Sequence, residues 1–164
     1  MPQEAIDLLN PMIVSEETAR YFYEAARTWA RRNNYCGAER QFKCYVHYHK
    51  HSIKALMNIF ADWNGDIKFE GVPAPASYFL ALPDVLSDAV GVEESLMNQY
   101  NKISPEILDI HLGIFDEVDK LRKRETEFYQ EMDEFNEKLK TLNVKNGLDL
   151  TYFDRKVLRW PARN

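Results

Sequence analysis

The sequence predicts an all-α protein: a bundle of four long helices, with a long crossover between the second and third and a short fifth helix at the end. Three observations predict it. Gly (6) and Pro (7) are few among 164 residues and they cluster, leaving long stretches with neither. Within those stretches apolar residues recur at alternating spacings of three and four, the seam of a helical bundle. Residues 65–82 break this pattern and gather turn-formers instead. We find no internal repeat and no low-complexity segment. The length fits one domain over 1–164, with the bundle at about 4–142 and the short C-terminal helix at about 150–158.

The first helix is expected from about Glu4 to Asn33. Its stripe is Ala5, Leu9, Met12, Glu16, Ala19, Tyr23, Ala26 and Ala30, with Pro11 a start or a kink. Asn33, Asn34 and Gly37 mark a turn. The second helix is expected from about Gly37 to Trp63, with the stripe Ala38, Phe42, Tyr45, His49, Ser52, Leu56, Ile59 and Trp63, and Asn64-Gly65 as its stop. In the crossover, Asp66 to Phe69 reads as briefly extended, and Val72-Pro73-Ala74-Pro75 is not helix interior. Eighteen residues reach up to about 60 Å, whereas the second helix is only about 40 Å long. The crossover can therefore return along the whole bundle and make the third helix parallel to the second.

The third helix begins near Pro83, a first-turn proline, with the stripe Leu86, Ala89, Glu93, Leu96, Tyr100, Ile103, Ile107 and Ile110. The stripe continues through Ile114, Val118, Leu121, Glu125, Phe128, Met132, Phe135, Leu139 and Leu142. A break at Leu112-Gly113, with only a kink at Pro105, gives two helices that match the first pair in length. Asn146-Gly147 is a turn. Leu150 to Leu158 forms the short fifth helix, ending before Pro161, and its Tyr152, Phe153, Val157, Leu158 and the following Trp160 are expected to need cover from a partner subunit.

Composition bounds the function. The chain is 45% apolar and 13% aromatic, enough for a core. A net charge of -5 argues against a nucleic-acid partner. No run approaches the ~20 apolar residues of a membrane span. No basic start leads into an apolar run, so no leader is expected. Cys36 and Cys44 lie eight apart on one helix, about 12 Å along its axis, too far for a disulfide. A reducing, cytoplasmic setting fits.

Each core stripe carries an ionisable intruder: Glu16, His49, Glu93 and Glu125. A charge in a bundle core costs several kcal/mol unless it is paired or metal-bound. One per helix, each in the middle half of its helix, points to a shared metal site of hard-to-borderline donors. The bland alternative places each Glu at a stripe edge with its tip in solvent. Separately, His47 and His51 share a helix face as an i, i+4 pair. Such a pair can clip Zn²⁺, Cu²⁺ or Ni²⁺, but two ligands alone rarely make a site, so a solvated face or a subunit contact is the reading. The basic run Lys120 to Arg124 reads as solvent-facing or inter-subunit ion pairs.

These residues resemble the bacterial non-haem ferritins over nearly the whole chain. Leu9-Asn10 through Glu16, Ala19, Tyr23 and Trp29 is similar to the family's first helix. Glu16 falls on its first-helix iron ligand and Tyr23 on the tyrosine beyond it. Gly37 matches the turn, and Pro73-Ala74-Pro75 resembles the long crossover. Glu93 falls on the third-helix ligand and, with one residue deleted, Glu125 on a fourth-helix site position. Gly147 through Tyr152-Phe153-Asp154 resembles the start of the fifth helix. Two departures stand out. The family's second-helix Glu-x-x-His reads His49-Lys50-His51-Ser52 here, and Phe128 takes the next inward fourth-helix position. A displaced second helix would let His51 replace one lost ligand.

The resemblance implies a ferritin-like four-helix bundle, a homo-24-mer hollow shell storing iron, and Fe²⁺ held by Glu16, His49, Glu93 and Glu125. It implies catalytic help from Tyr23 in passing electrons to O₂ or peroxide. With the bridging carboxylate missing, one ion per subunit and slow oxidation are expected rather than paired-iron chemistry. The alternative is a structural shell protein in which Glu16 and Glu125 pair with a protonated His49.

Overall fold

The computed structural model describes residues 1–68, 71–74, 78–142 and 147–158. Phe69, Pro75, Asn146, Trp160 and Pro161 lie outside them. Five helices follow in order: α1 Gln3–Arg32, α2 Cys36–Asp62, α3 Leu82–Ile110, α4 Leu112–Thr141 and α5 Gly147–Lys156. The described residues contain no strand. No helix among them is long and apolar enough to cross a membrane. α5 starts three residues earlier than the sequence suggested, at Gly147.

Pro11 and Pro105 both sit inside helices that run on through them. Each leaves one carbonyl, of Asp7 and Asn101, without its amide donor, and both residues are exposed, so water can take that place. α1 turns into α2 through Asn34, and α2 stops at Asn64. Both asparagines adopt left-handed φ, 60° and 52°, which Asn tolerates better than most residues. α3 and α4 meet at one extended residue, His111, whose Nδ1 accepts the amides of Gly113 and Ile114 at 3.2 and 3.4 Å. The break is thus one residue before the expected one. Gly113 is needed for a close approach, because a Cβ there would lie 2.8 Å from the Trp63 ring.

The stripes are buried nearly throughout, with Trp63, Ile110 and Leu142 emerging only at helix ends. They build two apolar clusters. One joins the C-terminal half of α1, the N-terminal halves of α2 and α3, and the C-terminal half of α4. The other joins the opposite halves. α2 and α3 therefore start at the same end and run parallel, as the length of the crossover anticipated. Asn10 secures the start of that crossover by accepting the amide of Lys68 at 2.9 Å.

The expectation that the C-terminal segment needs a partner's cover is corrected for Phe153 on α5 and Leu158 just beyond it. Phe153 and Leu158 are 0% and 1% exposed, packed in this chain's own first cluster. The Asp154 carboxylate accepts the amides of Gly37 and Ala38 at 3.0 and 2.7 Å, capping α2 from α5. Tyr152 remains 61% exposed. The basic run is laced to its own helix: Lys120 to Glu117, and Arg122 and Lys123 to Asp119.

Candidate metal centre

The two apolar clusters leave a polar waist between them. Glu16, His49, Glu93 and Glu125 all reach it and are 0–1% exposed. The edge-of-stripe alternative, with carboxylate tips in solvent, does not hold. Ligand atoms of Glu16, His49 and Glu125 lie within 4.8 Å of one another. Glu93 stands outside that trio and joins it through His49. His49 Nδ1 is 2.8 Å from Glu16 Oε2. Its Nε2 is 3.3 Å from Glu93 Oε1, without the alignment of a hydrogen bond.

Two tyrosines close the waist. Tyr23 donates to Glu93 Oε1 at 2.5 Å, and Tyr100 donates to Glu16 Oε1 at 2.6 Å. The sequence reading placed Tyr100 in the core without giving it a role. A signal was present: Glu16 and Glu93 are each followed seven residues later by a tyrosine. Seven residues are two helical turns, so each tyrosine shares its Glu's face. The hydrogen bonds cross over, each tyrosine serving the other helix's carboxylate. His47 and His51 are exposed on the outer face of α2. His51 therefore does not supply the missing second-helix ligand.

Three buried polar atoms of the site have no hydrogen-bond partner: His49 Nε2, Glu93 Oε2 and Glu125 Oε1. Leaving such atoms unpaired costs about 1–3 kcal/mol each. Carboxylate oxygens and an imidazole nitrogen are also the donors a divalent first-row cation takes. On both counts the residues fit a metal ion.

The charges of these side chains act on one another. Burial alone would push the His49 imidazole down, but the charge of Glu93, the hydrogen bond to Glu16 and the Glu16 charge outweigh it and raise it from 6.5 to about 10. Burial also opposes ionisation of Glu93, yet the His49 charge holds it below its ordinary range. Burial, then the charge of Glu93, pushes Glu125 well up and so favours its neutral form. Burial, followed by the neighbouring carboxylates, raises Tyr23 and Tyr100 and keeps both phenols protonated.

A pH dependence follows for chelator-treated protein. His49 titrates higher folded than unfolded, so its stabilisation is whole below about pH 6.5 and drains away as pH rises toward 10. Melting curves across that window should fall with pH, and less steeply in His49→Leu. An equal slope in the variant would assign the loss to other groups.

No family model matches the chain, and no curated protein matches it in sequence. Solved structures do match in shape. A humanized archaeal ferritin superposes with a TM-score of 0.90 at 12% identity, covering 100% of this chain and 99% of the other. Apo-ferritin from Pseudo-nitzschia multiseries gives 0.86 at 16% identity, covering 94% and 99%. An iron-soaked variant of PmFTN gives 0.87 at 18% identity, again covering 94% and 99%. Four long helices, a crossover that makes α2 and α3 parallel, and a short docked α5 give this chain the ferritin fold.

Proposed function

We propose that the chain is an iron-binding, iron-storage subunit of a hollow shell, holding Fe²⁺ at Glu16, His49, Glu93 and Glu125. The observation that carries this reading is the buried trio of Glu16, His49 and Glu125 with ligand atoms within 4.8 Å of one another, two of whose members, His49 and Glu125, keep a buried donor atom without a hydrogen-bond partner. Fe²⁺ is the cargo, and O₂ or peroxide takes its electron. One ion per subunit is supported by what the waist lacks. Ser52 and Phe128 occupy the inward positions that a second ion would need. A second ion would also need a bridging carboxylate, and His49 stands in that place. Tyr23 orients Glu93 through its hydrogen bond and is close enough to relay an electron.

The assembly we propose is a homo-24-mer working in the cytoplasm, with metal ions and other copies of the chain as its partners and no nucleic acid or membrane. Exposed Tyr78 and Leu80 late in the crossover, and Leu148 and Tyr152 on α5, offer apolar surface to neighbouring copies. Light scattering should give a particle 24 times the 19.3 kDa chain. A monomer or dimer would remove the shell from the proposal.

Anomalous scattering at the iron edge from Fe²⁺-soaked crystals tests the site. One peak between Glu16, His49 and Glu125 is expected, with slow oxidation in stopped flow. No peak there would favour the structural reading, in which protonated His49 serves only to pair the carboxylates. A second strong peak with fast oxidation would contradict the one-ion assignment. The double variant His49→Glu/Ser52→His restores Glu-x-x-His on α2 and is expected to bind a second ion and oxidise faster. Unchanged iron stoichiometry by Mössbauer spectroscopy would show that these two positions do not set the ion count.

A further inference from the structure

The outer face of α2 carries charge of one sign. Arg40, Lys43, His47, Lys50, His51 and Lys54 are all exposed on it. Stepping mostly by three and four residues, they fall within an arc of about 100° and make a strip about 21 Å long. The helix holds acids only near its two ends, Glu39 and Asp62. Among the described residues Arg40, Lys43, Lys50 and Lys54 make no ion pair. The lysines of α4 differ. Lys120, Lys123, Lys138 and Lys140 are each held by a carboxylate three or four residues away. Like charges one helical turn apart repel, and a chain with a net charge of -5 has acids enough to neutralise them. A face that met only water would be served as well by interleaved signs, as on α4.

The strip therefore fits a partner that brings negative charge and little else. No large apolar side chain is exposed on α2, so nothing there would insert into a membrane. No ring lies open on it for a base to stack on, because Tyr48 beside the strip is half-buried and stacked on Phe128 at 4.3 Å. What it offers is lysine point charges, the fork of Arg40 and the N–H donors of two imidazoles, all of which bind phosphate oxygens. Set about 4.5–6 Å apart along a line, these groups match a linear chain with a charge on every unit better than a lone anion. We propose that the outer face of α2 binds inorganic polyphosphate, with Lys43, Lys50 and Lys54 as its main contacts and Arg40, His47 and His51 completing the strip. The proposal stands apart from the iron reading, since all six side chains are exposed and none belongs to the buried waist.

Fluorescence anisotropy of end-labelled polyphosphate, about twenty phosphates long, measures binding to chelator-treated protein as salt is raised from about 50 to about 200 mM. The wild type is expected to bind about tenfold more weakly, or worse, at the higher salt. At the lower salt Lys43→Gln/Lys50→Gln/Lys54→Gln should also bind about tenfold more weakly or worse. Lys120→Gln/Lys123→Gln/Lys140→Gln removes the same charge from α4 and should stay within about twofold of the wild type. All six lysines are exposed, so neither variant opens the core, and melting curves check that both fold. Equal losses in the two variants would reduce the effect to net charge and overturn the strip. Absence of wild-type binding at low salt would overturn it too. A single-stranded oligonucleotide of equal charge that bound as tightly would make α2 a nucleic-acid surface and overturn the polyphosphate assignment. Each of these outcomes leaves the iron reading standing, and a waist that fails to bind Fe²⁺ leaves the strip standing.

Discussion

Replacing Gly37 with alanine is expected to undock α5 and lower the melting temperature by roughly 6–12 °C. Gly37 lies where α2 begins, and a Cβ there would sit 1.9 Å from the Asp154 carbonyl oxygen and 2.9 Å from its carbonyl carbon. Both atoms are backbone, so no side-chain rotation relieves the clash and α5 itself must move. Moving it strips the Asp154 carboxylate from the amides of Gly37 and Ala38. It also exposes Phe153, which packs with Phe42, Tyr45 and Val46 in one cluster. Loss of a buried Phe contact and a cap together is worth about 3 kcal/mol or more. Calorimetry measures the total, and hydrogen exchange at α5 amides localises it. Asp154→Asn keeps the backbone fit but loses the charge and one of the two acceptor oxygens, setting an NH2 donor against an amide N–H, so it should cost about 1–3 kcal/mol. Alanine at 37 melting within a degree or two of the wild type, with α5 still protected, would mean that α5 docks by other contacts.

The contrast between α5 and the bundle shows where sequence is informative. Over about thirty residues per helix, a spacing of three and four accumulates enough turns to fix which face is inward. Glu16, His49, Glu93 and Glu125 could therefore each be placed in the core from their own helix alone. The path of the crossover was legible because its maximum reach exceeds the length of α2. What joins different helices was not legible. Nothing in one helix states that Tyr100 serves Glu16 or that Tyr23 serves Glu93, although the matched seven-residue intervals hinted at it. The α5 stripe is too short to separate cover by a partner from cover by its own chain. Capture of that helix by Asp154 depends on residues 117 positions apart. Asp154 carries an ordinary surface-type side chain, and only its position opposite the α2 amides makes it a cap.

Removing the imidazole in His49→Leu is expected to destabilise chelator-treated protein at neutral pH by about 3–5 kcal/mol. Leucine fills a similar volume, so the loss is electrostatic rather than a cavity. His49 is the cation between Glu16 Oε2 and Glu93 Oε1, and all the carboxylates around it are sealed from water. Without it Glu93 loses the positive charge that holds its carboxyl low, and burial then favours its neutral form. Below the window in which His49 itself titrates, as pH falls through the ordinary carboxylate range near 4.5 and its partners lose their charge, the penalty should shrink and the variant approach the wild type. A melting difference that stayed constant with pH would point to packing as the cause.

The same variant separates the two functional readings through metal. If the waist binds Fe²⁺, anaerobic Fe²⁺ at about a hundred times its dissociation constant should stabilise the wild type by about 2.7 kcal/mol. His49→Leu should lose most of that increment, because a nitrogen donor and one member of the buried trio have gone together. If His49 serves only to pair carboxylates, the variant is destabilised as before, yet Fe²⁺ shifts the melting point of neither protein. The destabilisation alone is common to both readings, so the metal-dependent part of the shift decides between them.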